Sequence, residues 1–318
     1  MSIFSWHGFR QAGGAALVLL ATPIFGGEPT VETTPQTAAE MTSTTESSNG
    51  FFPFSAEYSA EETYVSDAAV RRENVSIRDF DESDTILRFV LTPRVKFGVL
   101  RLGAEWERFS FGFPDRTPLP NTLQSTSLVI GLDTQFSDSI LMRFEAEPGL
   151  YGTNHLDFDQ FNVPFIAGGT YIYSPSLQFI LGVSIDVERD YPVIPAAGIR
   201  WKISRLWVLN AVLPTPRIEF EAARNVTLYA GANIKQTNFR VDDDFGTKHG
   251  NPRLDNAVLT YSEVRAGGGI DWKISPSVIL TAEAGYQPYR EFDFYRADIR
   301  FHEDGSAPYG MISLHGAF

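Results

Sequence analysis

Chemistry in this chain has to come from oxygen and nitrogen groups, because none of its 318 residues is a cysteine. That excludes thiolate nucleophiles, zinc–thiolate centres, disulfides and lipid attachment at a cysteine. Beyond the N-terminal segment the histidines are His155, His249, His302 and His315. His155 stands in GTNHLDFDQ beside Asp157 and Asp159, residue types that can orient water or hold a metal; the polar surroundings read as a solvated loop. His315 has no serine and acid at a spacing recognisable for nucleophilic catalysis. Asp242, Asp243 and Asp244 precede Gly246 but lack the spaced acids and distal glutamate of a calcium loop. No catalytic, metal-binding or cofactor-binding residue is assigned.

The charged residues have a clearer pattern, since many alternate with apolar ones. Arg101 and Glu105 alternate with Leu100, Leu102, Ala104 and Trp106. Arg143 and Glu145 alternate with Met142, Phe144 and Ala146; Glu263, Arg265, Asp271 and Lys273 alternate with Val264, Ala266, Ile270 and Trp272. Asp186, Arg200, Lys202, Arg217, Glu219 and Glu283 occupy comparable positions in neighbouring runs. Side chains on a strand point alternately to opposite faces, so one face of each run is apolar and the other charged. If the apolar face meets lipid, all these charges share one lumen. Mixed signs suit either a hydrated pore with ion preference or a polar interior closed by pairing.

The elements that would position them are strands. From Phe51 onward, alternating runs of about nine to fourteen residues are joined by tight turns and longer polar loops in strict alternation. Turns are expected near residues 93–95, 137–138, 174–175, 204, 224–225 and 275–276. Loops are expected near residues 66–83, 112–121, 152–160, 189–192, 213–215, 241–256 and 302–308. Short turns at one end and long loops at the other are the habit of outer-membrane barrels. The fold class is therefore all-β, a transmembrane antiparallel up-and-down barrel of about fourteen strands, or twelve if the pair around 206–223 does not span. Sequence period does not say which face is inside; a soluble β-sandwich has the opposite polarity.

Aromatic placement and the C-terminus favour the membrane. Trp201, Trp207 and Trp272 lie close to turns, whereas Trp106 and Tyr286 lie about ten residues above theirs, some 25 Å along the normal for tilted strands. They suit two interfacial girdles. The last run, YGMISLHGAF, alternates and ends on Phe318, resembling the terminal strand signal that the barrel-assembly machinery reads. Pro148, Pro164, Pro192 and Pro195 are the counter-evidence, since a central strand cannot spare a donor, but they fall near expected loop ends where bulges tolerate them.

Residues 1–27 combine Arg10 with the apolar stretch AGGAALVLLATPIF and read as a cleaved secretory signal. Residues 28–50 are rich in Thr, Ser, Glu and Pro, without apolar period, and read as a disordered periplasmic linker. Residues 51–318 form the barrel domain. Apolar residues make up 43% and no later run reaches about 18 of them, so any span is made of strands. A formal charge of −13 argues against nucleic-acid partners.

Two stretches, GIRWKISRLWVLNAVLPTPRIEFEAARNVTLYAGANIKQTNFR from Gly198 and YSEVRAGGGIDWKISPSVILTAEAGYQPYREFDF from Tyr261, carry a family resemblance. They are similar to bacterial outer-membrane β-barrel proteins known mainly by a domain-of-unknown-function label. The resemblance implies fold and location and supplies no activity. The expected function is a passive channel or small-solute transporter in contact with outer-membrane lipid and an unknown small solute. The alternatives are a structural or ligand-binding barrel acting through its extracellular loops, and a lipid-modifying enzyme.

Overall fold

The computed structural model describes residues 54–72, 75–113 and 117–318; the expected signal and linker lie outside them. The first half of the wall comprises β1 (Phe54–Arg72), β2 (Val75–Val95), β3 (Gly98–Gly112), β4 (Thr122–Ser137), β5 (Ile140–Ala146), β6 (Gly149–Gly152), β7 (Phe161–Asn162), β8 (Phe165–Ser174) and β9 (Leu177–Ile185). It continues through β10 (Val193–Lys202), β11 (Trp207–Val212), β12 (Arg217–Ala223), β13 (Val226–Arg240), β14 (Val258–Ser275), β15 (Val278–Phe294), β16 (Ile299–Asp304) and β17 (Ala307–Ala317). Three pairs of segments, β5 with β6, β7 with β8 and β16 with β17, are single staves with a local break. The result is a closed antiparallel barrel of fourteen staves.

Closure is made by β17 against β1, in register from Glu57 opposite Ala317 to Val65 opposite Tyr309. Ala56 and Phe318 add two backbone hydrogen bonds of 2.8 and 3.0 Å. No strand edge is left along this seam, as a wall in contact with hydrocarbon requires. The prolines sit where the ladder tolerates them. Pro148 and Pro164 occupy facing breaks of adjacent staves, and their carbonyls accept from the amides of Leu128 and Glu147, both at 2.9 Å. Register is unchanged across the break, with Ala146 opposite Phe165 below it and Gly149 opposite Asn162 above.

Polarity settles which face is inside. Leu87 and Phe89 are 48% and 47% exposed, whereas Arg88 between them is 8% exposed. Leu102, Leu128, Ile130, Phe179, Leu181, Leu228 and Ile270 also stand outward and exposed, while Arg101, Glu105, Glu145, Glu263 and Arg265 are buried. This is the reverse of a water-soluble sandwich. Among the described residues no helix is long and apolar enough to cross a membrane.

The wall is uneven in height. β1 and β2 run for 19 and 21 residues and β14 and β15 for 18 and 17, while β8 to β12 have between 6 and 10. Two loop expectations are corrected here. The loop expected at 66–83 is mostly a tall hairpin of β1 and β2, and its charged outer face hid the inward Val70, Ile77 and Phe80. Register shifts between Val65, Ala68 and Val70 also broke the alternation. The loop expected at 302–308 lies within the last stave, around Gly305 at φ 126°, and the chain reverses earlier, at Tyr295–Ala297.

Candidate functional site: an ionic lumen beneath an aromatic plug

The tall staves bring β2 and β3 against β13 to β15 across the barrel, and the lumen at the loop end is filled. Phe109 and Phe111 of β3 pack on Tyr261 of β14 and Phe292 of β15, with ring centroids 4.8 and 5.1 Å apart. These staves are not neighbours in the sheet, so the contacts span the interior. Phe80, Phe239, Phe294 and Phe301 join the same buried cluster, as do Phe245 and Leu254 from the loop between β13 and β14. Burying this many rings is strongly favourable, each offering on the order of 150–250 Å² of surface. The loop end is plugged.

Directly below the rings lies an upper ionic tier. Lys235 of β13 reaches Asp84 of β2 at 2.9 Å and contacts Glu107 of β3. Arg265 donates to Thr63 at 2.6 Å and pairs with Glu263 at 3.1 Å. Arg290 pairs with Glu82 at 2.8 Å, and the Tyr261 hydroxyl donates to the same carboxylate at 2.7 Å. Lys235 and Arg290 also lie over the rings of Phe109 and Phe80, at 4.5 and 4.6 Å, which ties tier to plug.

A lower tier follows the inner wall of β1 to β5. Arg88 binds Glu105 and Glu145 at 2.7 Å and Glu147 at 3.0 Å. Arg101 bridges Glu145 and Glu57, both at 3.0 Å. Arg143 holds Asp133 through two bonds of 2.6 and 2.8 Å and is part-exposed. Groups nearer the turns are wetter. Arg217 pairs with Glu219 at 2.8 Å and lies 3.8 Å from Asp271, with all three side chains partly exposed. Glu283 accepts from the hydroxyls of Tyr229, at 2.6 Å, and Tyr309. Arg200 stands half-buried opposite Gln178 and Asn210, and Lys202 and Lys273 are exposed beside the turns. From turns to loops the interior thus passes from a wet vestibule through paired charges to packed rings.

Asp186 does something different: it stitches the wall. β12 pairs β13 only up to Gly231, and above that point the side chains of Asn162 and Asn238 donate to Asp186 at 2.9 and 2.6 Å. Glu188 continues the stitch by accepting from Arg240 at 2.7 Å and Arg296 at 3.2 Å.

Several buried partners escaped the alternation argument: Arg88, Lys235, Arg290, Glu82 and Asp84. For Lys235 the signal was present, since Asn233, Lys235 and Thr237 alternate with Ala232, Ile234 and Gln236. Arg88 lies in TILRFVL, where Ile86 and Val90 also face inward and blur the period. Arg290 is displaced by a bulge. Val264 faces Tyr289 while Ala266 faces Tyr286, so Arg265 opposes both Gln287 and Pro288, and every later side chain of β15 changes face.

The aromatic positions Trp201, Trp207, Trp272 and Tyr286 are exposed on the outer wall, and Trp106 is part-exposed. Phe318 is exposed, with its ring 5.8 Å from Tyr58. The loop candidates have structural partners. Asp157 caps the turn Phe158–Gln160, Asp242 accepts from Thr153, and Asp244 pairs with Lys248. His155 is exposed; Ser313 and His315 approach to 3.4 Å on the last stave. Among the described residues, no group of three acids or histidines is arranged to hold a metal ion.

The family model described as "Domain of unknown function (DUF6268)" matches residues 53–304. The chain belongs to that family. The DUF6268 match takes in β1 to β16, hence the wall up to the break in its last stave, both ionic tiers and the plug. Comparison with curated proteins finds no match. Among solved structures, the chain is similar to an outer-membrane channel from Pseudomonas putida F1, at 8% identity and a TM-score of 0.44, over 84% of this chain and 97% of the other. It is similar to the Pseudomonas putida toluene transporter TodX at 8% identity and TM-score 0.44, over 82% and 89%. It is also similar to the KdgM porin, at 8% identity and TM-score 0.33, over 83% and 99%.

Proposed function

We propose that the protein is exported by a cleaved signal over residues 1–27, resides in the outer membrane, and passes a small solute through its charged lumen from a resting state closed at the loop end. The observation that carries this reading is the inverted wall, with Leu87 and Phe89 outward and Arg88 inward. That polarity suits hydrocarbon outside, and closure of β17 on β1 satisfies the backbone there. The turns would face the periplasm. Trp201, Trp207 and Trp272 would anchor the near interface and Trp106 and Tyr286 the far one, while Phe318 would serve the assembly machinery. The gradient from wet vestibule to plug favours a closable conduit over a uniformly packed scaffold.

Two measurements test this. Outer-membrane fractions should contain a form whose gel mobility changes on heating. In planar bilayers the wild type should show rare, small conductance steps, and a Phe109→Ala/Phe292→Ala variant should show larger or more frequent ones. If both proteins insert as heat-modifiable barrels and stay silent, the channel reading is lost. The remaining reading would be a binding or structural barrel acting through the loop 241–257, which sends Phe245 and Leu254 into the plug.

A further inference from the structure

We propose that the lumen selects for positive charge, so that the species crossing it is a cationic solute. This rests on the channel reading and adds the class of cargo. In the lower tier three basic groups meet five carboxylates. In the upper tier three meet six. Both tiers are mostly buried, so the acidic excess acts in a medium where charge is poorly screened, and the field it makes is felt across the lumen.

A second observation points the same way. Gln287 is fully buried; its amide donates to Glu263 at 2.7 Å, and its Oε1 receives no hydrogen bond from the protein. Glu303 is enclosed too, with neither carboxylate oxygen hydrogen-bonded and its ion-pair partner, Arg290, at 3.8 Å. One oxygen of Glu82 also receives no hydrogen bond. The buried donors left over in this tier, Arg265 Nη2 and Arg290 Nε, already lie within ion-pair range of carboxylates. The upper tier is therefore short of donors and of positive charge together. A cation or protonated amine passing through meets acceptor oxygens, whereas an anion meets carboxylates that outnumber their basic partners.

The test is the reversal potential of the Phe109→Ala/Phe292→Ala barrel under a KCl gradient. K⁺ should be preferred over Cl⁻ by on the order of tenfold, the low end of counter-ion enrichment in a single-sign cleft. A Glu263→Gln/Glu303→Gln pair added to that background should reduce the preference. Arg143→Gln, at a part-exposed position, should increase it and keeps the sign testable if the glutamine pair fails to fold. Conductance steps with no preference, or with preference for Cl⁻, would overturn cation selection and leave the channel standing. Absence of steps in a heat-modifiable barrel would instead remove the channel reading, and this inference with it.

Discussion

Arg88 shows how individual residues divide the labour of this interior. Its guanidinium is the shared partner of Glu105, Glu145 and Glu147, and its side chain is 7% exposed. Removing one partner of a buried ionic set costs about 3–5 kcal/mol, because the others are left uncompensated. Arg88→Met should therefore lower the unfolding free energy of detergent-solubilised protein by that amount, seen as a lower guanidinium midpoint by tryptophan fluorescence. Arg143→Met removes a wetter pair and should cost about 1 kcal/mol or less. Equal losses would mean that the lower tier is not sealed around Arg88. In the loop, Asp255 accepts from the amide and hydroxyl of Thr247 at 2.7 and 2.6 Å, and these bonds hold its carboxyl below the usual range. A depressed folded-state value gives stabilisation that is present above the ordinary carboxylate range and is lost as pH falls through the folded value. Protection of the Thr247 amide against hydrogen exchange, corrected for the intrinsic rate, should fall on acidification and be weakened at neutral pH in Asp255→Asn.

At the scale of elements, the bulge in β15 matters most. Arg265 opposes both Gln287 and Pro288, which turns Arg290, Phe292 and Phe294 inward. Inserting one residue between Tyr289 and Arg290 would shift the pairing by one and send Arg290, Phe292 and Phe294 to the outer face. Loss of the plug rings and exposure of a charge on the outer wall should abolish the heat-modifiable form; deleting Pro288, which removes the bulge and keeps Glu263 opposite Arg290, should retain it. An insertion variant that still forms it would show that the upper tier tolerates loss of its register. The tall hairpin of β1 and β2 illustrates why this was hard to read beforehand. RRENVSIRDFDE looks like a polar loop because its outer face meets water, and only pairing shows that Ile77 and Phe80 point inward. By contrast β3, with its regular alternation from Leu100 to Glu107, was fully legible.

For the molecule as a whole, uneven stave height organises the function. Where β8 to β12 stop, Asp186 and Glu188 stitch the remaining gap, and the taller staves fold their inner faces onto one another. Truncating both Phe109 and Phe292 removes rings from the centre of that contact. Large-to-small changes of this kind cost about 3–5 kcal/mol each when fully buried. The double variant should therefore unfold at lower denaturant while gaining conductance, so that the two readouts move in opposite directions. Lower stability without any gain in conductance would assign the plug a purely structural role.

The sequence by itself determined the architecture: period-two alternation, strict succession of short and long connections and terminal pairing residues all reflect local rules of strand geometry, which need no tertiary knowledge. It also located charges such as Arg101, Glu145 and Arg265 on one face. Only the tertiary structure decided that this face is inside, that charges from opposite walls meet, and that rings close the loop end. Those facts depend on which distant staves touch across the lumen, as Lys235 touches Asp84 and Phe109 touches Tyr261. A single bulge reverses the facing of every residue beyond it, and no count along one strand reveals the partner that defines it.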